Sequence, residues 1–458
     1  MKPVSALFAA ILLFAPASAQ SDPAAADIKA DMAYLASDRL KGREAGTPEY
    51  DMAARYVADR MKQIGLVPKG DHGGYFQHVP LLAYRAKDPG TMVLHDKSGH
   101  NVPLIFGRDY VVGADGRTPL LKRDAPLVFV GFGLVAPEHH RDDYAGLDVK
   151  GKIVVALSGA PKFLQTEERA YYRSGRTKAA AALAHGAVGF VSVGTLTGER
   201  LYPFADYVRQ YQSWDMTWVK PDGSPFFAVD LPGMAGISVA GAHKLLGTET
   251  DKILAAAETK DGLIKGFALP WSLKAELHTE IKKAESENIV GLLPGNDLIG
   301  AEYFAHNPTV PRSAIAADVD LDMPILTYEF TDVTAFGADR SSIGPSVKRA
   351  AATMNVKLSP DPEPDEGIFT RSDHYRFVEQ GIPAVFLATG FANGGKTATE
   401  FFMRNHYHKP SDDLSQPIRY DMGAKFARLN YAITRELADG PRPAWNKGDF
   451  FAGKFAGK

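Results

Sequence analysis

The chain has 458 residues, is 45% hydrophobic and 23% charged, and carries a formal net charge of -2. That composition describes a globular protein with ample core, and the absence of any long basic or acidic run argues against nucleic acid or an anionic membrane as partner. There is no cysteine, which excludes disulfides, thiolate metal sites and cysteine nucleophiles, so any metal must bind through His, Asp and Glu.

The N-terminus reads as a secretory signal: Lys2 supplies the charge, Ala6 to Ala15 the apolar stretch, and Ala17-Ser18-Ala19 the cleavage site. Cleavage near Ala19 starts the mature chain near Gln20, in a periplasmic or extracellular space. No later stretch reaches the roughly 18 apolar residues of a membrane span. Residues 28–66 read as helical, interrupted by the turn-rich Leu40–Thr47 loop. Thr47 is a natural cap with Pro48 at the first helical position, and Gly65 ends the helix. Ala53, Tyr56, Val57, Arg60, Met61 and Ile64 are spaced as a buried stripe.

From about residue 116 the texture becomes β-rich. Pro126–Gly131 and Lys152–Leu157 are strands, with Asp142–Gly146 looping between them. A helix over Thr177–His185 leads into a strand at Ala187–Val193, and a further β-rich stretch covers Phe226–Val239. These define an expected insert at 116–265, between an N-terminal part at 20–115 and a C-terminal part at 266–458. In the last part, Ala275–Lys283 alternates as an edge strand would, and Asn288–Leu293 is another strand. Ile315–Met323 is a strand ending in acids, Ser341–Asn355 a helix, Pro383–Leu387 a buried strand, and Tyr420–Ala438 the closing helix. The expected fold class is therefore α/β. Pro360–Glu366 is a stiff acidic loop.

Candidate chemistry concentrates in that last part. Asp318, Asp320 and Asp322 share one face if the segment is a strand. Three such carboxylates fit either a solvated strand end or a set of ligands facing a cation. A calcium loop fails on Met323 at its glycine position. His408 sits in a short turn stiffened by Pro410, with Asp412 close enough to orient its imidazole. In Arg371-Ser372-Asp373-His374-Tyr375, Ser372 or Asp373 is a natural helix cap, and binding is the other reading. No Gly-x-Ser-x-Gly, P-loop, dinucleotide fingerprint or His-Glu-x-x-His is present.

Several of these pieces together carry a resemblance. They are Ala33–Arg43, Asp142–Ile153, Ser286-Glu287-Asn288-Ile289-Val290-Gly291, Asp322-Met323, Arg371–His374 and Tyr407-His408-Lys409-Pro410-Ser411-Asp412. The chain resembles secreted zinc aminopeptidases of peptidase family M28, in the subgroup with an inserted protease-associated domain. The resemblance implies a mixed-sheet exopeptidase domain, two zinc ions bridged by an aspartate and a hydroxide, a glutamate general base, and peptides or protein N-termini as partners. It places Asp322 as a zinc ligand and His408 as the histidine of the second zinc. The family then continues past the Asn288–Leu293 strand with a His-x-Asp strand end, the bridging Asp, a helix and a Glu-Glu strand end. In this sequence Pro294-Gly295-Asn296-Asp297 runs straight into Leu298–Phe304. A strand-helix-strand block of about 30 residues or more is thus missing relative to the family, and two strands of the central sheet with it. The bridging Asp and the catalytic Glu go too, so no catalytic residue is assigned. Asp318, Asp320, Asp373, His374 and Asp412 remain as supporting candidates, and His306 as a further nominee. The expected function is zinc-dependent aminopeptidase activity impaired by this loss; the alternative is a non-catalytic, exported peptide-binding protein.

Overall fold

The computed structural model describes residues 23–292 and 301–457. The expected signal segment and the junction at Pro294–Gly300 lie outside them.

Two helices open the described chain, Pro23–Leu35 and Pro48–Gln63. Thr47 caps the second as expected, its hydroxyl accepting from the Tyr50 amide at 3.3 Å. The buried face differs from the expected stripe. It is made by Ala53, Ala54 and Ala58, while Ile64 is exposed because it already stands at the helix end. Small residues win there because the helix lies close against the long strand behind it.

Among the described residues, ten strands form one mixed sheet. Its organiser is a single 23-residue strand, Phe267–Ile289. Thr279–Ile289 pairs antiparallel with Phe76–Ala86, and Phe267–His278 pairs antiparallel with Leu120–Phe129. Ala275 and Glu276 are therefore paired on both sides, with Arg123 and Lys122 and with Met92 and Thr91, whereas Thr279–Lys283 pairs with Leu82–Ala86 alone, as an edge would. The segment also merges with the strand expected to begin at Asn288. Its charged alternation arises because side chains on one face meet solvent, which says nothing about whether the backbone edges are paired.

From Leu120–Phe129 the sheet continues as a parallel run through Ile153–Leu157, Gly189–Val193 and Gly233–Ile237. The helices Thr166–Arg173 and Gly175–Ala184 make the crossover between Ile153–Leu157 and Gly189–Val193. Every residue of Ile153–Leu157 is buried, as both covered faces of a parallel sheet require. The stretch expected to be β-rich to Val239 instead turns helical at Val239–Leu246, behind a Ser238 cap.

A second sheet holds the candidate chemistry. Its strand order is Asp318–Asp320, Ala384–Thr389, Asp332–Phe336, Lys357–Leu358. The first pair is parallel and the second antiparallel. One face packs on helices Ile343–Thr353 and Tyr420–Ala438 through Val347, Leu429 and Ile433. The other packs on Phe369, Phe377 and Phe451. The acidic strand is shorter than expected. A tight turn at Arg312–Ala314 precedes it, and Met323 adopts φ 28° before Pro324, so regular pairing ends at Asp320.

Candidate functional site

The strand Asp318–Asp320 runs beside Ala384–Phe386, with Asp320 opposite Phe386. Beyond it the chain turns at Met323, a residue forced into the sparsely populated positive-φ region. Leu321 and Met323 face solvent. This turn brings Asp322 alongside Asp320 at the start of the helix His374–Val378.

Ser372 bridges the two carboxylates. Its hydroxyl lies 2.6 Å from Asp320 Oδ2 and 3.0 Å from Asp322 Oδ2. The His374 amide also donates to Asp320 Oδ2, at 3.3 Å. The helix is thus capped from another element by Asp320. Neither Ser372 nor Asp373 caps it through its own side chain, which corrects the expectation of a local cap.

His374 is completely buried. Its ring stacks on Phe386 at 5.6 Å and meets Phe369 edge-on at 5.1 Å. Its Nδ1 is 3.7 Å from Asp320 Oδ2, close enough for electrostatic attraction but too far for a hydrogen bond. Neither ring nitrogen has a hydrogen-bond partner among the described residues.

Burial pushes the Asp320 carboxyl up, yet the imidazole of His374 and the Ser372 hydroxyl outweigh it, and the group ends below its ordinary range. Asp373 moves the other way. Crowding by protein atoms raises it, and the charges of Asp320 and Asp322 raise it further.

The remaining candidates do not join this group. Asp318 is half-buried two residues upstream, its amide bonded to the Pro383 carbonyl. His408 sits in an exposed turn at φ 55°, with its ring stacked on Tyr407 at 3.8 Å. Asp412 accepts from the Gln416 amide at 2.8 Å and makes no hydrogen bond to His408. His306 is spent elsewhere, its Nδ1 against the Glu302 carbonyl and its Nε2 against Gln380. Glu167 and Glu168 both reach Arg340. Among the described residues, no three His, Asp or Glu side chains converge on a point that a metal could occupy.

Two features were invisible in the sequence. One is the Ser372 bridge, which joins residues 50 and 52 positions apart. The other is Arg340, only 12% exposed, which binds Glu167 and sits 3.4 Å from Asp449, tying the helix Thr166–Arg173 to the C-terminal segment. The Arg371-Ser372-Asp373-His374 motif was the available signal for the first; nothing marked the second.

Part of the chain matches a known family. Residues 282–434 match the model described as peptidase family M28. The motifs at Ser286–Gly291, Asp322, Arg371–His374 and His408–Asp412 all fall inside that segment, so the resemblance read from the sequence is borne out there. Among solved structures, the chain is similar to an aminopeptidase from Aneurinibacillus sp. strain AM-1, at 16% identity over 92% of this chain and 95% of that one, with a TM-score of 0.48. It is also similar to BSAP, a zinc aminopeptidase from Bacillus subtilis, at 13% identity over 90% of this chain and 94% of that one, with a TM-score of 0.37. No curated protein matches the chain in sequence.

A two-zinc ligand set does not fit the described residues. Asp320 and Asp322 are bridged by a hydroxyl, the His374 ring nitrogens lie in an apolar sandwich, and His408 stands on a separate turn. Two zinc ions each need about four ligands, and the donors gathered here fall short of that.

Proposed function

We propose that this chain is an exported protein on a peptidase M28 scaffold, directed at peptides, whose aminopeptidase activity is strongly impaired. The observation that carries the reading is the Asp320–Ser372–Asp322 bridge. Carboxylates that a zinc centre would use are held instead by a neutral hydroxyl, and among the described residues no third His, Asp or Glu converges with them on a metal position. The family match to residues 282–434 supports the scaffold and the peptide partner. The stretch 116–265, whose strands share the larger sheet with Phe76–Ala86 and Phe267–Ile289, shapes access to the peptide face. Export rests on Lys2, the Ala6–Ala15 stretch and Ala17-Ser18-Ala19.

The test is zinc content together with aminoacyl-anilide turnover. The purified mature chain is expected to release no more product than buffer, and chelator should change nothing. Chelator-sensitive release would overturn the reading. A retained peptide-binding role is the second reading, favoured by the same self-satisfied donors. It requires saturable binding of unlabelled peptides without their cleavage.

A further inference from the structure

The parallel strands Ile153–Leu157, Gly189–Val193 and Gly233–Ile237 end on the same side of the larger sheet. In open parallel sheets, the space beyond the carboxyl ends of the strands is where ligands bind. Here the residues just past those ends, Ser158, Gly194 and Ser238, line a cavity of about 390 Å³. Its walls mix apolar groups such as Phe132 and Ile237 with three cations, Lys162, Arg169 and Arg173, and three carboxylates, Glu199, Glu258 and Asp365.

The charges are not evenly matched inside. Glu258 accepts from the Thr197 amide at 2.8 Å and pairs with Lys162 at 3.3 Å. Asp365 pairs with Arg169 at 3.2 Å. Glu199 is exposed at the rim, near the Phe204 amide, where water screens it. Glu366, whose charge Arg173 also feels, is paired with Arg371 at 2.7 Å. Arg173 is left over. Its guanidinium donates to the Asp365 carbonyl and forms no ion pair among the described residues. Arg169 is 9% exposed, and its Nε has no hydrogen-bond partner. A desolvated cation without a counter-ion is unfavourable, and Arg173 lines the hollow.

We propose that this cavity binds a monocarboxylate with an apolar body, its carboxylate on Arg173 and its hydrocarbon against Phe132 and Ile237. Planar guanidinium groups suit a carboxylate, which they can grip with two parallel hydrogen bonds. A phosphate monoester carries about -1.5 to -2 charge. That exceeds the single uncompensated cation. The occupied cavity would also touch the loop leading to Ser372, because Tyr202 in the wall bonds both Glu366 and Arg371. The proposal does not depend on hydrolysis.

Isothermal titration calorimetry on the full chain tests it. The probes are N-acetyl-L-leucine, N-acetyl-L-leucinamide, the tripeptide Ala-Ala-Leu and inorganic phosphate. Both acids are expected to bind at least tenfold more tightly than the amide. R173Q should lose at least tenfold in affinity for them and R173K should recover part of it, while K97A, on an exposed turn outside the cavity, binds as the parent does. A tighter tripeptide assigns a peptide carboxyl terminus; a tighter N-acetyl-leucine assigns a small free acid. Equal binding of acid and amide, phosphate binding tighter than either acid, or unchanged binding by R173Q would each overturn the proposal. Should R173Q fail to fold, phenylglyoxal labelling of the parent chain decides. Arg173 must be protected by the acid and not by the amide.

Discussion

Replacing Ser372 with alanine removes the side chain that, among the described residues, holds Asp320 and Asp322 together. Asp320 is the acceptor that matters, being 12% exposed and 2.6 Å from the hydroxyl. Asp322 is solvated and loses little. A hydrogen bond to a charged, largely buried acceptor contributes about 1.5 to 3 kcal/mol, and the His374 amide still satisfies one lone pair of Asp320. Ser372→Ala should therefore cost about 2 kcal/mol at neutral pH. The pH dependence has a definite sign. The folded Asp320 carboxyl lies below its ordinary value, so its stabilisation is present above the unfolded pKa and lost as pH falls through the folded one. Without the hydroxyl the folded value moves back up and that contribution shrinks. Parent and variant should thus differ most near pH 7 and less at pH about 3, where part of the contribution is already lost. Urea unfolding followed by tryptophan fluorescence at both pH values measures it. A deficit that is the same at both, or a variant more stable than the parent at neutral pH, would refute the bridge.

Three further outcomes follow from neighbouring features. His374→Phe should leave stability within about 1.5 kcal/mol of the parent, because the ring packs between Phe369 and Phe386 and makes no hydrogen bond; a loss of twice that would show its nitrogens are engaged. Arg340→Met should cost about 3 to 5 kcal/mol, since it strands Glu167 and Asp449 at 13% and 4% exposure; chemical denaturation showing under ~1 kcal/mol, the worth of a surface pair, would contradict this. Lys178 is buried with its Nζ 2.5 Å from the Leu157 and Gly159 carbonyls, and burial lowers its pKa to about 7. The unfolded chain binds the extra proton from there up to the ordinary lysine value, so the parent should gain stability with rising pH across that window relative to Lys178→Met; parallel melting curves for the two would remove the burial argument.

The helices were readable because their signals are local. Thr47-Pro48 marked one start, and the Tyr420–Ala438 helix has the bounds its periodicity gave. The buried strands at Ile153–Leu157 and Ala384–Thr389 were equally plain, as unbroken apolar runs. The long strand misled because Glu276, Glu280 and Lys282 report only which face is wet. The two-sided backbone pairing at Ala275 and Glu276 leaves no trace in side-chain polarity. At the site, Asp320, Asp322 and His374 were named from the sequence and do meet. Ser372 was assigned to the nearest helix terminus because capping is a short-range signal, whereas its acceptors arrive from another strand. The His408–Asp412 pairing looked natural at four residues' separation, but the positive φ at His408 turns its ring onto Tyr407 and leaves Asp412 to Gln416.

The central claim, that the donors assembled around Asp320 and Asp322 fall short of a two-zinc hydrolytic centre, is tested most directly by elemental analysis of the purified mature chain after equilibration with zinc and gel filtration. The account predicts no stoichiometric zinc retained and the same content for the parent and Asp322→Asn. Two ions retained per parent chain, and lost from that variant, would contradict it.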